Sequence, residues 1–94
     1  MSEEKPKVTT SRTFNIQAGT EAKQLVSANP KRVGLLVYNN GSVTVYILSA
    51  QNMAVGDGIP VAAGATYSND ESTNEYYIIT ESSTADVRVE VISA

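Results

Sequence analysis

The chain has 94 residues and a formal net charge of -3, so it fits one small domain and offers no basic surface for nucleic acid. It contains no cysteine, histidine or tryptophan, which excludes disulfides, thiol nucleophiles, zinc–cysteine sites and Ser-His-Asp triads. We therefore expect no cofactor, no metal and no nucleic-acid partner. A domain this short buries a thin core, so we expect neighbouring subunits to add to its stability.

Residues 1–11 (MSEEKPKVTTS) are polar, charged and interrupted by Pro6. We predict an extended N-terminal arm here, with a disordered tail as the alternative, followed by one domain over residues 12–94. Lys5, Pro6 and Val8 are the candidate partner contacts of the arm. The acidic start and the lack of a long apolar run predict no signal peptide and no membrane segment, so we expect synthesis in the cytoplasm and no membrane partner.

Short segments with β patterns follow the arm. Residues 12–17 (RTFNIQ) alternate in polarity, with Phe14 and Ile16 on one face. Residues 22–27 (AKQLVS) would also suit a short helix, but their shortness and the following Asn29-Pro30 favour a strand.

The strongest local signal covers residues 32–39 (RVGLLVYN) and 43–48 (VTVYIL), which are rich in β-branched and aromatic side chains. Asn40-Gly41 lies between them, and Asn-Gly tolerates the positive φ angles of tight hairpins. We predict a hairpin in which Tyr38 and Tyr46 meet. Both faces are apolar, which is typical of strands that are central in a sandwich or covered by another chain.

The second half of the chain continues this pattern. Pro60 in residues 59–61 indicates an edge strand, and residues 75–81 (EYYIITE) form the next strand. Residues 85–92 (ADVRVEVI) alternate, with three valines facing inward and Asp86, Arg88 and Glu90 facing water. About seven or eight short strands without a helix predict an all-β fold, an antiparallel β-sandwich or small barrel.

Catalytic chemistry finds no support in the sequence. The carboxylates lie in polar loops or on the solvent face of a strand, and none lies within an apolar stretch of the sequence. The acidic loop over residues 69–74 does not have the spacing of a calcium loop. Lys31 and Arg32 are interpreted as a solvated turn, with a salt bridge to an acidic partner as the alternative. We expect a protein that is not an enzyme.

Tyrosine is the most informative residue type, with five tyrosines and one phenylalanine making up the aromatic residues. A tyrosine combines a large apolar area with a polar tip, which suits protein interfaces. We predict a partner interface that includes Tyr38, Tyr46, Leu48 and Tyr76. Core packing across strands and a sugar platform are the alternatives.

Several segments follow one another in a recurring order: NPKRVGLLVYN (29–39), VTVYI (43–47), GIPV (58–61), AGATY (63–67), EYYII (75–79) and TADVRVE (84–90). This order resembles small β-sandwich proteins encoded among the structural genes of tailed phages. Those proteins share an NP-x-R-x-x-L-x-V-x-N strand, a V-Y-I strand, a G-I-P-L-x-x-G turn and an A-D-V-R-V strand. The resemblance covers residues 25–92, with Val61 where leucine is common.

The resemblance implies a structural virion protein of a bacteriophage, located on the capsid surface. It implies a capsid decoration or head-fibre-base protein that binds the assembled lattice of the major capsid protein and stabilises the head. A homotrimer is implied by resemblance alone. A tail or neck subunit and a receptor- or glycan-binding module on the virion surface are the alternatives.

Overall fold

We describe residues 9–94 of the protein from a computed structural model. Within that range the chain forms eight strands, one short 3-10 turn at Val55–Asp57 and no α-helix. The predicted all-β fold is therefore confirmed. The strands are β1 Thr10–Ala18, β2 Lys23–Val26, β3 Arg32–Asn39, β4 Val45–Leu48, β5 Ile59–Val61, β6 Thr66–Asn69, β7 Tyr76–Thr80 and β8 Ala85–Ser93.

The strands make two four-stranded antiparallel sheets. Sheet A has the order β1-β8-β3-β6, and sheet B has the order β2-β7-β4-β5. Strand pairs are nested around the β4–β5 connection: β4 pairs with β5, β3 with β6, β2 with β7 and β1 with β8. The chain is thus one long hairpin wrapped into two facing sheets, which is the arrangement of a jelly roll.

The core lies between the sheets and contains the inward side chains of both. β8 shows the pattern most clearly, because Val87, Val89 and Val91 are buried while Arg88 is exposed. This confirms the alternation predicted for that strand. Pro60 lies in β5, which is an edge strand of sheet B as predicted. β1 begins at Thr10, so the strand includes the last two residues of the predicted arm; residues 1–8 lie outside the described residues.

The predicted hairpin between residues 32–39 and 43–48 is wrong. β3 pairs with β6 and β8 in sheet A, whereas β4 pairs with β5 and β7 in sheet B. The segment around Asn40-Gly41 is a crossover between the sheets, so Tyr38 and Tyr46 do not meet across a turn. Gly41 does not have a positive φ; among the described glycines only Gly64 does, at φ 80° in the turn between β5 and β6.

Position 41 requires glycine because a side chain would have no space there, and not because the backbone has a positive φ. A Cβ at this position would lie 2.7 Å from the Ala85 Cβ and 2.9 Å from the Ala85 Cα. Both distances are shorter than atoms tolerate, and one neighbour is backbone at the start of β8. The crossover therefore passes against β8 with no room for a side chain.

We expect Gly41→Ala to lower the free energy of unfolding by about 1–3 kcal/mol, the usual cost of forcing extra volume into a packed site. Gly19→Ala is the matched control, because a Cβ at Gly19 would meet nothing within 4 Å. Urea unfolding followed by circular dichroism measures both. Equal stability of the two variants would contradict the close approach of Gly41 to β8.

Candidate interaction surface

The structure does not bring the predicted interface residues together. Tyr38 is half-buried on the outer face of sheet A, between the buried Val37 and Asn39. Tyr46 has the corresponding place on the outer face of sheet B. These two tyrosines thus lie on opposite outer surfaces of the sandwich. Lys5, Pro6 and Val8 lie outside the described residues.

The other two predicted residues contribute little free surface. Leu48 is only 1% exposed. A Cβ on Gly58 would lie 2.9 Å from its Cδ2, so the end of the loop over residues 49–58 packs against the leucine side chain. Tyr76 is half-buried and packs against the core cluster. For Leu48 and Tyr76 the contacts are those of packing within the subunit.

The outer face of sheet A contains a more coherent surface, which we call the Leu36 face. Leu36 lies on β3 and is aligned with Ser68 on β6 and with Glu90 on β8, and Glu90 is aligned with Thr13 on β1. The side chains of this row lie across the whole width of the sheet. The Leu36 face consists of Thr13, Asn15, Leu36, Ser68, Arg88 and Glu90.

Two shallow grooves flank Leu36. One has a volume of about 600 Å³ and runs over β1 and β8, where Thr13, Asn15, Arg88 and Glu90 contribute to its lining. The other, of about 240 Å³, runs over the β6 side past Ser68 and Asp70. Leu36 is 39% exposed between them. An apolar centre with a polar rim is the usual composition of a protein-binding surface.

Hydrogen bonds hold the polar rim of this face in place. The Arg88 Nε donates to Asp86 at 2.9 Å, and the Asn40 Nδ2 donates to the same carboxylate at 3.1 Å. The hydrogen bond from Asn40, followed by the hydrogen bond and charge of Arg88, lowers the pKa of Asp86 below its ordinary value of 3.8. The Ser11 hydroxyl donates to Glu90 at 2.6 Å. Arg88 and Glu90 therefore present opposite charges next to each other on β8.

The sequence predicts that Arg88 and Glu90 face water, and the structure confirms their outward direction. That they surround an exposed leucine cannot be predicted from the sequence, because this neighbourhood depends on the β3–β8 pairing. The only signal in the sequence is that Leu36 and Tyr38 alternate along β3 and so share one face. That alternation fits a hairpin with β4 as well as it fits the observed pairing with β8.

Arg32 is a second place where the sequence interpretation is wrong. Its side chain is buried, with 5% exposure, and is not part of a solvated turn. The guanidinium donates to the carbonyls of Ser27, Ser72 and Asn74. Arg32 therefore joins two loops at one end of the sandwich.

Residues 9–94 contain no group of three or more acidic side chains placed to hold a metal ion. No helix in the same range is long and apolar enough to cross a membrane. The Leu36 face combines one exposed leucine with two shallow grooves and a polar rim.

The sandwich has a counterpart among known proteins. No protein-family model and no curated protein matches the sequence. Among solved structures, the chain is similar to a protein of Bacillus endospore appendages, which are described as "a novel family of disulfide-linked pili". The TM-score is 0.55 at 15% identity, over 93% of this chain and 87% of that one. At this identity the likeness concerns the fold, and it agrees with the sandwich described above.

Proposed function

We propose that this chain is a structural virion protein that decorates a phage capsid by binding the assembled lattice of the major capsid protein. The single observation that carries the proposal is the Leu36 face, an exposed leucine on a rigid sheet with charged and polar side chains around it. The resemblance of residues 25–92 to tailed-phage structural proteins supports the choice of partner.

The mechanism in this proposal is mechanical. A subunit that binds the assembled lattice and not the free capsid protein stabilises the assembled state by mass action. The contact needs a preformed surface, because ordering flexible groups on binding weakens affinity. The paired side chains around Leu36 provide this, since Asp86 and Ser11 already restrain Arg88 and Glu90.

Cosedimentation with capsids tests the proposal. We expect the full chain to bind assembled capsids of the phage that encodes it, and Leu36→Glu to raise the dissociation constant at least about tenfold, since a buried interfacial charge without a partner costs more than about 1.4 kcal/mol. Met53→Glu is the matched control, because Met53 is 37% exposed and Leu36 39% exposed. Equal loss in both variants, or binding unaffected by Leu36→Glu, would contradict the Leu36 face as the contact.

A second candidate function is a subunit of a surface filament. The likeness to the appendage protein favours it, since that protein is described as part of a pilus. Those pili are described as disulfide-linked, and this chain has no cysteine, so its subunits would associate without disulfide links. Electron microscopy of the purified chain separates the two candidates, because a filament subunit assembles alone and a decoration protein needs the capsid.

A further inference from the structure

Within residues 9–94 the two sheets have four edge strands, which differ in how well they are protected against pairing with another strand. β2 has four residues and a register shift, β5 has three residues including Pro60, and β6 has four residues. β1 has nine residues and pairs with β8 from Thr10 to Ala18 without a shift. Short, bulged or proline-containing edges resist pairing, whereas a long regular edge is a template for another chain.

The direction of the backbone groups in sheet A can be read from β3. The Asn39 amide donates to the Ala65 carbonyl, and the Asn39 carbonyl accepts from the Gly64 amide, so both point toward the β6 side. Backbone direction alternates along a strand, so Leu36 and Tyr38 bond toward β8. By the same alternation, the valines of β8 bond toward β1.

It follows that Arg12, Phe14 and Ile16 of β1 bond to β8, because they are aligned with those valines. The remaining residues direct their amides and carbonyls to the outer edge: Ser11, Thr13, Asn15 and Gln17. An independent contact agrees, since the Lys23 Nζ reaches the Gln17 carbonyl from outside the sheet at 2.8 Å.

We propose that this edge pairs antiparallel with β1 of a second copy of the chain, around a two-fold axis at Thr13. Lys23 occupies the carbonyl of Gln17, so the groups left for pairing are those of Ser11, Thr13 and Asn15. Their centre is Thr13. In this register Thr13 is opposite Thr13 of the second copy, and Ser11 is opposite Asn15.

Side chains favour the same register. It places Arg12 opposite Phe14 of the second copy, and the Arg12 guanidinium already lies 4.7 Å from the centroid of its own Phe14 ring. A cation over an aromatic ring is attracted by it. A register centred on Arg12 would place two like charges directly opposite each other, which is destabilising. A register centred on Phe14 would need the carbonyl of Gln17, which Lys23 occupies.

A two-fold pairing uses β1 in both copies and closes after two subunits. A trimer built through the β1 edge would need β1 to pair with one of the other edges, which are less than half its length. The pairing uses the outward backbone groups of Thr13 and Asn15, whereas the proposed capsid contact uses their side chains on the outer face, so self-association and capsid binding are measured separately.

Sedimentation velocity of the full chain over a wide concentration range tests the pairing. We expect a concentration-dependent dimer that persists in Thr13→Ala. Thr13→Pro should raise the dissociation constant of the dimer by at least about tenfold. Proline removes an outward amide that β8 does not use, and edge strands tolerate proline there. A monomer at all concentrations, growth beyond dimers, or dimerisation unchanged by Thr13→Pro would overturn the proposal.

Cysteine cross-linking tests the two-fold pairing of β1 if Thr13→Pro fails to fold. The chain has no cysteine of its own, so a single introduced thiol reports one contact. Opposed residues of a hydrogen-bonded pair have Cα atoms about 5.5 Å apart, within the range of a disulfide. We expect Thr13→Cys to form a disulfide-linked dimer and the exposed Thr66→Cys on β6 to form none. Absence of the Thr13 cross-link, or equal cross-linking of both variants, would overturn the two-fold pairing.

Discussion

Asn39→Ala is expected to lower the free energy of unfolding by about 3 kcal/mol or more. The Asn39 side chain is 0% exposed. Its Nδ2 donates to the carbonyls of Val43 at 2.8 Å and Val61 at 2.9 Å, and its Oδ1 accepts from the Gly41 amide at 2.9 Å. Each buried polar group left without a hydrogen-bond partner costs about 1–3 kcal/mol. The total free energy of unfolding of a domain of this size is about 5–14 kcal/mol.

The neighbouring asparagine gives the control. Asn40 is exposed and bonds to Asp86 at the surface, so Asn40→Ala should cost less than about 1 kcal/mol. Asn39→Asp is a sharper test, because it keeps the acceptor for Gly41 and replaces the donor with a buried carboxylate that faces two carbonyls. We expect it to be at least as destabilising as Asn39→Ala in urea unfolding. Wild-type stability of Asn39→Asp would contradict the role of the Nδ2 donor.

The Arg32 clamp, meaning the guanidinium of Arg32 with its three carbonyl partners, gives the second large effect. Nη1 donates to Ser27 at 3.1 Å, and Nη2 donates to Ser72 at 3.0 Å and to Asn74 at 2.6 Å. We expect Arg32→Met to lower the free energy of unfolding by about 2–4 kcal/mol. Hydrogen bonds to charged groups contribute about 1.5–3 kcal/mol each. The total loss is smaller than the sum because water can replace the guanidinium as the hydrogen-bond donor to the loop carbonyls.

Hydrogen exchange gives a local readout of the same change. The Asn29 amide donates to the Thr73 carbonyl at 2.9 Å, beside the clamp. Its protection should fall in Arg32→Met and remain in Lys31→Ala, because Lys31 is the adjacent exposed basic residue. Arg32→Lys should be intermediate, since one ammonium cannot reproduce the fork of a guanidinium. Unchanged protection of Asn29 in Arg32→Met would show that the clamp does not hold the two loops.

The fold class could be predicted from local patterns, and the pairing could not. Val87, Val89 and Val91 alternate with polar residues, and burial on one side of a strand requires this whatever the neighbouring strand is. Pro60 likewise indicates an edge from its missing amide alone. By contrast, the sequence Asn40-Gly41 fits a hairpin turn as well as it fits the observed crossover between the sheets. In the structure its glycine is required by Ala85, which lies far away in the chain.

The candidate surface shows the same division. The outward direction of Arg88 and Glu90 follows from the alternation of β8. Their position around Leu36 depends on β3 pairing with β8, which brings together residues distant in sequence. The burial of Arg32 could not be predicted because its partners are backbone carbonyls in two other segments, and no side-chain pattern in the sequence indicates them.

The proposed role of this chain is that of a structural subunit of a phage particle. Quantitative mass spectrometry of purified particles, combined with their cryo-electron microscopy reconstruction, tests it most directly. We predict that the chain is present in a copy number comparable with that of the major capsid protein, with density on the outer surface of the head. Absence of the chain from purified particles would contradict the account, and a few copies confined to the tail or neck would contradict the capsid contact.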